Sequence, residues 1–385
     1  MTTFILACAQ VNNYFSNMTS ITSRFPRAAS ELTADWLTDA LSATGAIAPE
    51  VRIRDVRLER IAEGVGFASF LYRAHLDLDG AGPATVIIKW PTDYPTFLEL
   101  AKSIQLYDRE VAFYNDVAPV APIGAPRAYF AAIEDDSTDF VIVMEDLAGL
   151  ENADHLEGLS IGRAQAVLDE LAKFHAWGWD TNPPAAKNPA FLGLDDARMA
   201  GLFSVGAGAG WPIYLEHGRA TAPAGLADIL AQYSTLAPGL LGALTEPATL
   251  VNGDLRADNL FFAETGPHVT VDYQFAGRGC GMWDVAYLVG QGLTPAERGG
   301  HERELVTRYV QTLADSGVEY PFDQAWQQFQ IAVVAQIALP LLAMISWDTL
   351  NPRGQELLQV LMERSFSIVA DTDAVSAVLA LPAAD

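Results

Sequence analysis

The sequence predicts an α+β protein of two lobes, a small β-rich one followed by a larger, mostly helical one. Three observations predict it. Short apolar runs separated by turn residues crowd positions 56–144, whereas long helical patterns dominate beyond Gly149. A chain of 385 residues is too long for one compact core and long enough for two. Half of the residues are hydrophobic and 10% are aromatic, which excludes a disordered chain.

Residues 1–30 read as an extension, partly disordered, with Met18 as an alternative start to Met1. The apolar patch at 4–11 has no basic flank, so it does not read as a signal peptide. The small lobe is expected over 31–148. A helix over 33–43 precedes strands over 56–63 and 67–77, which flank Gly64-Val65-Gly66. A third strand, 85–90, follows a glycine- and proline-rich turn. Positions 95–117 have helical spacing, and strands over 128–133 and 140–144 enclose an acidic turn. The larger lobe is expected over 149–385. It carries helices over 161–177, 226–233, 297–316, 324–344 and 353–370, and short buried strands at 249–251, 260–262 and 269–271. Gly206-Ala207-Gly208-Ala209-Gly210 reads as a flexible loop inside a loop-like region, 191–216. The apolar stretch 329–347 is broken by Gln330, Gln336 and Pro340 and lacks basic flanks, so a buried helix fits better than a membrane span.

A formal charge of -25 argues against nucleic acid and anionic membranes as partners, because no basic stripe could neutralise phosphates. It would mildly favour a cationic substrate. Two cysteines, Cys8 and Cys280, give no disulfide framework and no metal-ligand spacing, so a reducing cytoplasm is the expectation. The oligomeric state stays open.

Chemistry concentrates where the short strands of the larger lobe stop. Asn252-Gly253-Asp254 is followed by Asn259 and then by Asp272-Tyr273-Gln274. One carboxylate, Asp254, can accept the proton of an attacking hydroxyl. The amide of Asn259 and the carboxylate of Asp272 can hold magnesium through oxygen. In the small lobe, Gly64 and Gly66 would let backbone amides approach phosphate oxygens, with the Ser69 hydroxyl beside them. Lys89 ends an apolar run and needs a partner, for which Glu110 on the following helix is the candidate.

Asn252-Gly253-Asp254-x4-Asn259, Val271-Asp272-Tyr273-Gln274 and the stretch from Gly281 to Leu288 together resemble the choline kinase and aminoglycoside phosphotransferase superfamily. The wording is most similar to its ecdysteroid-kinase-like branch. The resemblance implies a bilobal protein-kinase-like fold and transfer of the γ-phosphoryl group of ATP, with Mg2+, to a hydroxyl of a small-molecule alcohol. It implies Asp254 as base, Asn259 and Asp272 as metal ligands, and Lys89, fixed by Glu110, on the phosphates. Backbone groups near Glu145 and Leu147 would meet the adenine edge. Met144 either lines that pocket or belongs to the core. Arg256 is either a phosphate contact or a solvated loop residue. Asp284 resembles the residue that braces the catalytic loop, and His175 reads as a hydrogen-bonded structural residue. One departure stands out: the residue before Gly253 is usually His and is Asn252 here. An ATP-binding pseudokinase without turnover is therefore one rival reading, and an aminoglycoside phosphotransferase conferring resistance is another. Phe203, Trp211 and Tyr214 either line the acceptor pocket or pack their own segment.

Overall fold

The computed structural model describes residues 25–62, 69–179 and 183–382. They fall into two compact units. The first runs to Asn115 and resumes over Pro126–Gly149; the second comprises Asp116–Ala125 and Leu150–Asp385. The first unit ends at Gly149, where a boundary after residue 148 was expected, and Asp116–Ala125 joins the larger unit. Local bonds show why: Asn188 Nδ2 donates to the Asp116 carboxylate at 2.7 Å, and the Thr270 N–H donates to the Gly124 carbonyl at 2.8 Å.

The first unit is an antiparallel sheet with helices on it. Helix α1 (Ala34–Ala43) starts where the Thr33 hydroxyl accepts the Trp36 N–H, and it buries Leu37, Ala40 and Leu41 at helical spacing. Strands β1 (Ile53–Ile61), β2 (Ser69–Leu78), β3 (Thr85–Pro91), β4 (Ala128–Ile133) and β5 (Phe140–Glu145) form one sheet in the order β1-β2-β3-β5-β4. Alternation along β3 sends Val86, Ile88 and Trp90 into the core that also holds α1. Lys89 therefore points to the opposite face. The helical pattern over 95–117 breaks into α2 (Pro95–Ser103), α3 (Leu106–Ala112) and a wider turn over Phe113–Val117. The first break falls at Gln105, whose left-handed φ of 54° no continuous helix accommodates. Tyr107 of α3 stacks on Phe140 at 4.3 Å, which fixes α3 to the sheet face that carries Lys89.

The second unit is mostly helical, with two small sheets at its site. Its strands are β6 (Glu151–Asn152), β7 (Ala248–Val251), β8 (Leu260–Phe262), β9 (Val269–Thr270) and β10 (Gly277–Cys280). They pair as β6-β8-β9 and as β10-β7, all antiparallel. The principal helices are α4 (Ile161–Gly178), α5 (Ala197–His217), α6 (Leu226–Ala231), α7 (Tyr233–Gly242), α8 (Met282–Tyr287), α9 (Glu302–Asp315), α10 (Phe322–Ala335), α11 (Ala338–Met344) and α12 (Pro352–Asp371). Phe322–Met344 is the one helical stretch among the described residues long and apolar enough to cross a membrane. Of its most apolar window 72% is buried inside the protein, as in a core helix.

Helix α5 corrects the flexible loop expected over 206–210. Gly206 and Gly210 lie four residues apart on one helix face, against α11. A Cβ at Gly210 would stand 1.9 Å from the Leu341 carbonyl oxygen, and one at Gly206 would stand 2.8 Å from Leu342 Cβ. These glycines serve close helix packing, not flexibility.

Candidate active site

In the second unit the site begins where β7 ends. Val251 pairs with Gly277 of β10, and the chain then turns through Asn252, Gly253 and Asp254. One buried carboxylate fixes the turn. Asp284, in the first turn of α8, accepts the Asn252 N–H at Oδ2 (2.6 Å) and the Gly253 N–H at Oδ1 (2.9 Å). Oδ2 also lies 3.2 Å from His175 Nε2, and His175 Nδ1 meets the Tyr309 hydroxyl at 2.7 Å. Gly253 has φ +89°, and a Cβ there would lie 2.2 Å from the Phe275 carbonyl oxygen. Glycine is required on both counts.

Asp254 is half-buried. Its N–H donates to Asn252 Oδ1 at 3.0 Å, and its carboxylate lies 3.4 Å from Arg256 Nε and bonds the Tyr287 hydroxyl. Burial raises its carboxyl pKa above the ordinary value; the nearby Arg256 charge opposes the rise and the Asp272 charge adds to it. Arg256 is likewise half-buried, and the Asp254 carboxylate raises its pKa further. It is therefore a loop residue engaged with Asp254, not a solvated one. Asn252 is fully buried, and its Nδ2 has no hydrogen-bond partner among the described residues. An unpaired buried amide of this kind costs about 1–3 kcal/mol.

Asn259 and Asp272 come together through the backbone, where the Val271 N–H donates to the Asn259 carbonyl at 3.0 Å. Asn259 Nδ2 donates to the Asp254 carbonyl at 2.9 Å, which leaves Oδ1 as the remaining acceptor of that side chain. Asp272 adopts a left-handed φ of 64°, and Gln274 Nε2 donates to its Oδ2 at 3.0 Å. Such backbone strain on a non-glycine residue concentrates at functional sites. Among the described residues no three or more His, Cys, Asp or Glu are arranged to hold a metal by themselves. The donor set nevertheless fits magnesium, which takes one or two protein oxygens and completes its shell with phosphate and water. The mutual repulsion of Asp254 and Asp272 is what a divalent cation would relieve.

In the first unit, Lys89 Nζ donates to Glu110 Oε1 at 2.7 Å, with both side chains almost wholly buried. A buried ammonium is tolerated only with such a partner. Ser69 is half-buried at the start of β2; Gly64 and Gly66 lie outside the described residues. Met144 is buried in β5, Leu147 is half-buried, and the Glu145 side chain is exposed. The Glu145 N–H is used within the sheet, donating to the Arg127 carbonyl at 2.9 Å. Arg73 binds both oxygens of Asp146, at 2.7 and 3.3 Å, and so pins the segment leaving β5.

Phe203, Trp211 and Tyr214 are buried on α5. Phe203 stacks on Trp283 at 5.7 Å, Trp211 stacks on Tyr214 at 5.7 Å, and both of the latter meet Phe366 edge-on. The rings pack α5 into the interior, which corrects the expected aromatic loop. Three residues quoted in the sequence only as part of the motifs turn out to support the site: Tyr287 and Gln274, and Trp283, whose Nε1 donates to the Gly253 carbonyl at 3.3 Å. Tyr287 could have been found, since it follows Asp284 by three residues and so shares its helix face.

Solved structures are similar to this chain. A point mutant of aminoglycoside 2'-phosphotransferase-IIIa, in complex with GDP, superposes with a TM-score of 0.51 at 14% identity, covering 88% of this chain and 100% of that one. An ethanolamine kinase from Plasmodium vivax superposes with a TM-score of 0.50 at 12% identity, covering 94% of this chain and 95% of that one. The fold is protein-kinase-like. Residues 63–185 match the profile of the Ecdysteroid kinase-like family, a segment of the kinase-like fold that includes Lys89 and Glu110. No curated protein matches the sequence.

Proposed function

We propose that this protein is a phosphotransferase that moves the γ-phosphoryl group of ATP to a hydroxyl of a small molecule, with magnesium bound alongside the nucleotide. The observation that carries this reading is the loop of the second unit, where a half-buried carboxylate of raised pKa, Asp254, is gathered with Asn259 and Asp272. Asp254 would orient the acceptor hydroxyl and take its proton, which a carboxylate of raised pKa does better than an ordinary one. Asn259 Oδ1 and the Asp272 carboxylate would hold the cation, whose chemistry is to neutralise charge on the phosphates. Lys89, fixed by Glu110, would hold phosphate oxygens, and Arg256 would shift from Asp254 toward the transferred group as negative charge builds there. The barrier reduction would come from alignment and charge neutralisation, so no covalent intermediate is needed. The match over residues 63–185 to the ecdysteroid-kinase-like profile supports the same class.

The presence of Asp254, Asn259 and Asp272 in one loop, with Asn252 holding the Asp254 backbone, supports turnover over nucleotide binding alone. A screen of amino sugars, choline-like amines, sterols and aromatic alcohols for ADP release tests the reading. At least one alcohol should stimulate magnesium-dependent ADP formation; ATP binding without stimulation by any of them would count against it.

A further inference from the structure

We propose that Asn252 is the positioning residue of this site: its amide oxygen sets the backbone of Asp254 and, through it, the carboxylate. The proposal rests on the phosphotransfer reading only for the role of Asp254. Its support is an unbalanced set of hydrogen bonds on one fully buried side chain. Oδ1 accepts the Asp254 N–H at 3.0 Å, two residues on, closing an Asx turn. Nδ2 has no partner among the described residues. The main-chain N–H of Asn252 is held separately by Asp284 at 2.6 Å.

A side chain present only to fill space would not carry an unpaired amide into a position without solvent access. An apolar residue or a serine would fill it at lower cost. What the amide supplies is an acceptor aimed at the residue that bears the base. Asp284 holds the N–H groups of Asn252 and Gly253 and reaches no further along the loop. The Asn252 oxygen carries the brace one residue on. It also does so without titrating, whereas an imidazole in its place would lose its acceptor nitrogen on protonation.

Asn252→Ala and Asn252→Ser in the full chain test this, with turnover, Mg-ATP affinity, melting temperature and hydrogen exchange at the Asp254 amide as readouts. Asn252→Ala should lower kcat by at least ~10-fold, because a displaced base is costly out of proportion to the shift, while KM and Kd for ATP stay within ~3-fold. Its melting temperature should fall by no more than a few degrees, since the loss of the unpaired Nδ2 offsets much of the cost of the freed Asp254 N–H, and the Asp254 amide should exchange at least ~10-fold faster. Asn252→Ser, whose hydroxyl can accept the same N–H, should recover most of the turnover and the protection. Unchanged kcat and exchange in the alanine variant would overturn the proposal. So would a parallel loss of kcat, ATP binding and melting temperature, which marks a merely structural residue. Should the alanine variant not fold, serine decides: a folded Asn252→Ser enzyme without turnover or amide protection overturns the proposal. Should the wild type phosphorylate no alcohol, the exchange readout still decides the brace, and protection lost in alanine but kept in serine would leave only the phosphotransfer reading refuted.

Discussion

Replacing Gly253 by alanine should damage stability and turnover together, and the structure sets the size of both effects. The residue sits at φ +89°, where a side chain costs about 1–3 kcal/mol of backbone strain. Its Cβ would also stand 2.2 Å from the Phe275 carbonyl oxygen and 2.8 Å from the Phe275 carbonyl carbon and Cβ. Backbone blocks it, so no rotamer change gives relief, and the turn must retreat by about 1 Å to reach ordinary van der Waals contact. Retreat stretches the 2.9 Å bond from the Gly253 N–H to Asp284 and the 3.3 Å bond from Trp283 Nε1 to the Gly253 carbonyl. Losing the charged one alone is worth about 1.5–3 kcal/mol. Together these come to about 2.5–6 kcal/mol, which corresponds to a fall of at least ~5 °C in melting temperature for a folding unit of this size. Asp254 moves with the turn, and a displacement of about 1 Å at a catalytic group costs on the order of 100-fold in rate. Scanning calorimetry and turnover at saturating ATP measure both. A variant that melts within 2 °C of wild type, by this roughly 1 kcal/mol criterion, and turns over normally would show that the turn is not held as described.

Five further outcomes are expected. Asp254→Asn should lower phosphoryl transfer by at least ~100-fold while ATP affinity stays within a few-fold, as measured by ADP release and calorimetry. The same variant should melt no lower than wild type at neutral pH. A carboxyl whose pKa is raised on folding stabilises the protein below its unfolded value and loses that contribution as pH rises through the folded one, so a neutral amide removes a cost. In the wild type, kcat/KM should fall as pH drops through the raised pKa of Asp254, placing the acid limb above the ordinary aspartate value of 3.8; an acid limb at or below that value would speak against Asp254 as base. Asp272→Ala should abolish magnesium-dependent nucleotide binding in isothermal titration, and unchanged Mg-ATP binding would reassign the residue as structural. Trp211→Ala should lower stability by about 3–5 kcal/mol, as for other large buried side chains, with an effect on the acceptor KM no larger than that on the KM for ATP.

Local features were the most legible in the sequence. Apolar runs fixed all five strands of the first sheet to within a few residues, because alternation and turn residues are properties of neighbours. The proximity of Asp254, Asn259 and Asp272 could be read for the same reason, since they lie in one short stretch that the backbone folds upon itself. The Lys89–Glu110 pair was legible because a lysine within an apolar strand demands a partner and the next acidic helix offers one. Helix α5 was not legible, because glycine carries opposite meanings in a loop and at a helix contact. Only the packing of Gly206 and Gly210 on Leu341 and Leu342 decides between them. The placement of Asp116–Ala125 in the second unit likewise depends on Asn188 and Thr270, which are remote in sequence. The unpaired Nδ2 of Asn252 is a property of its surroundings that no spacing reveals.

The central claim is that the Asp254 loop performs phosphoryl transfer. Its most direct test follows label from γ-labelled ATP into an alcohol, with wild type and Asp254→Asn side by side in the presence of magnesium. Label should appear in the alcohol with the wild type and fall to background with Asp254→Asn, although both proteins bind ATP. Equal transfer by the two proteins, or none by either across the alcohol library, would contradict the account.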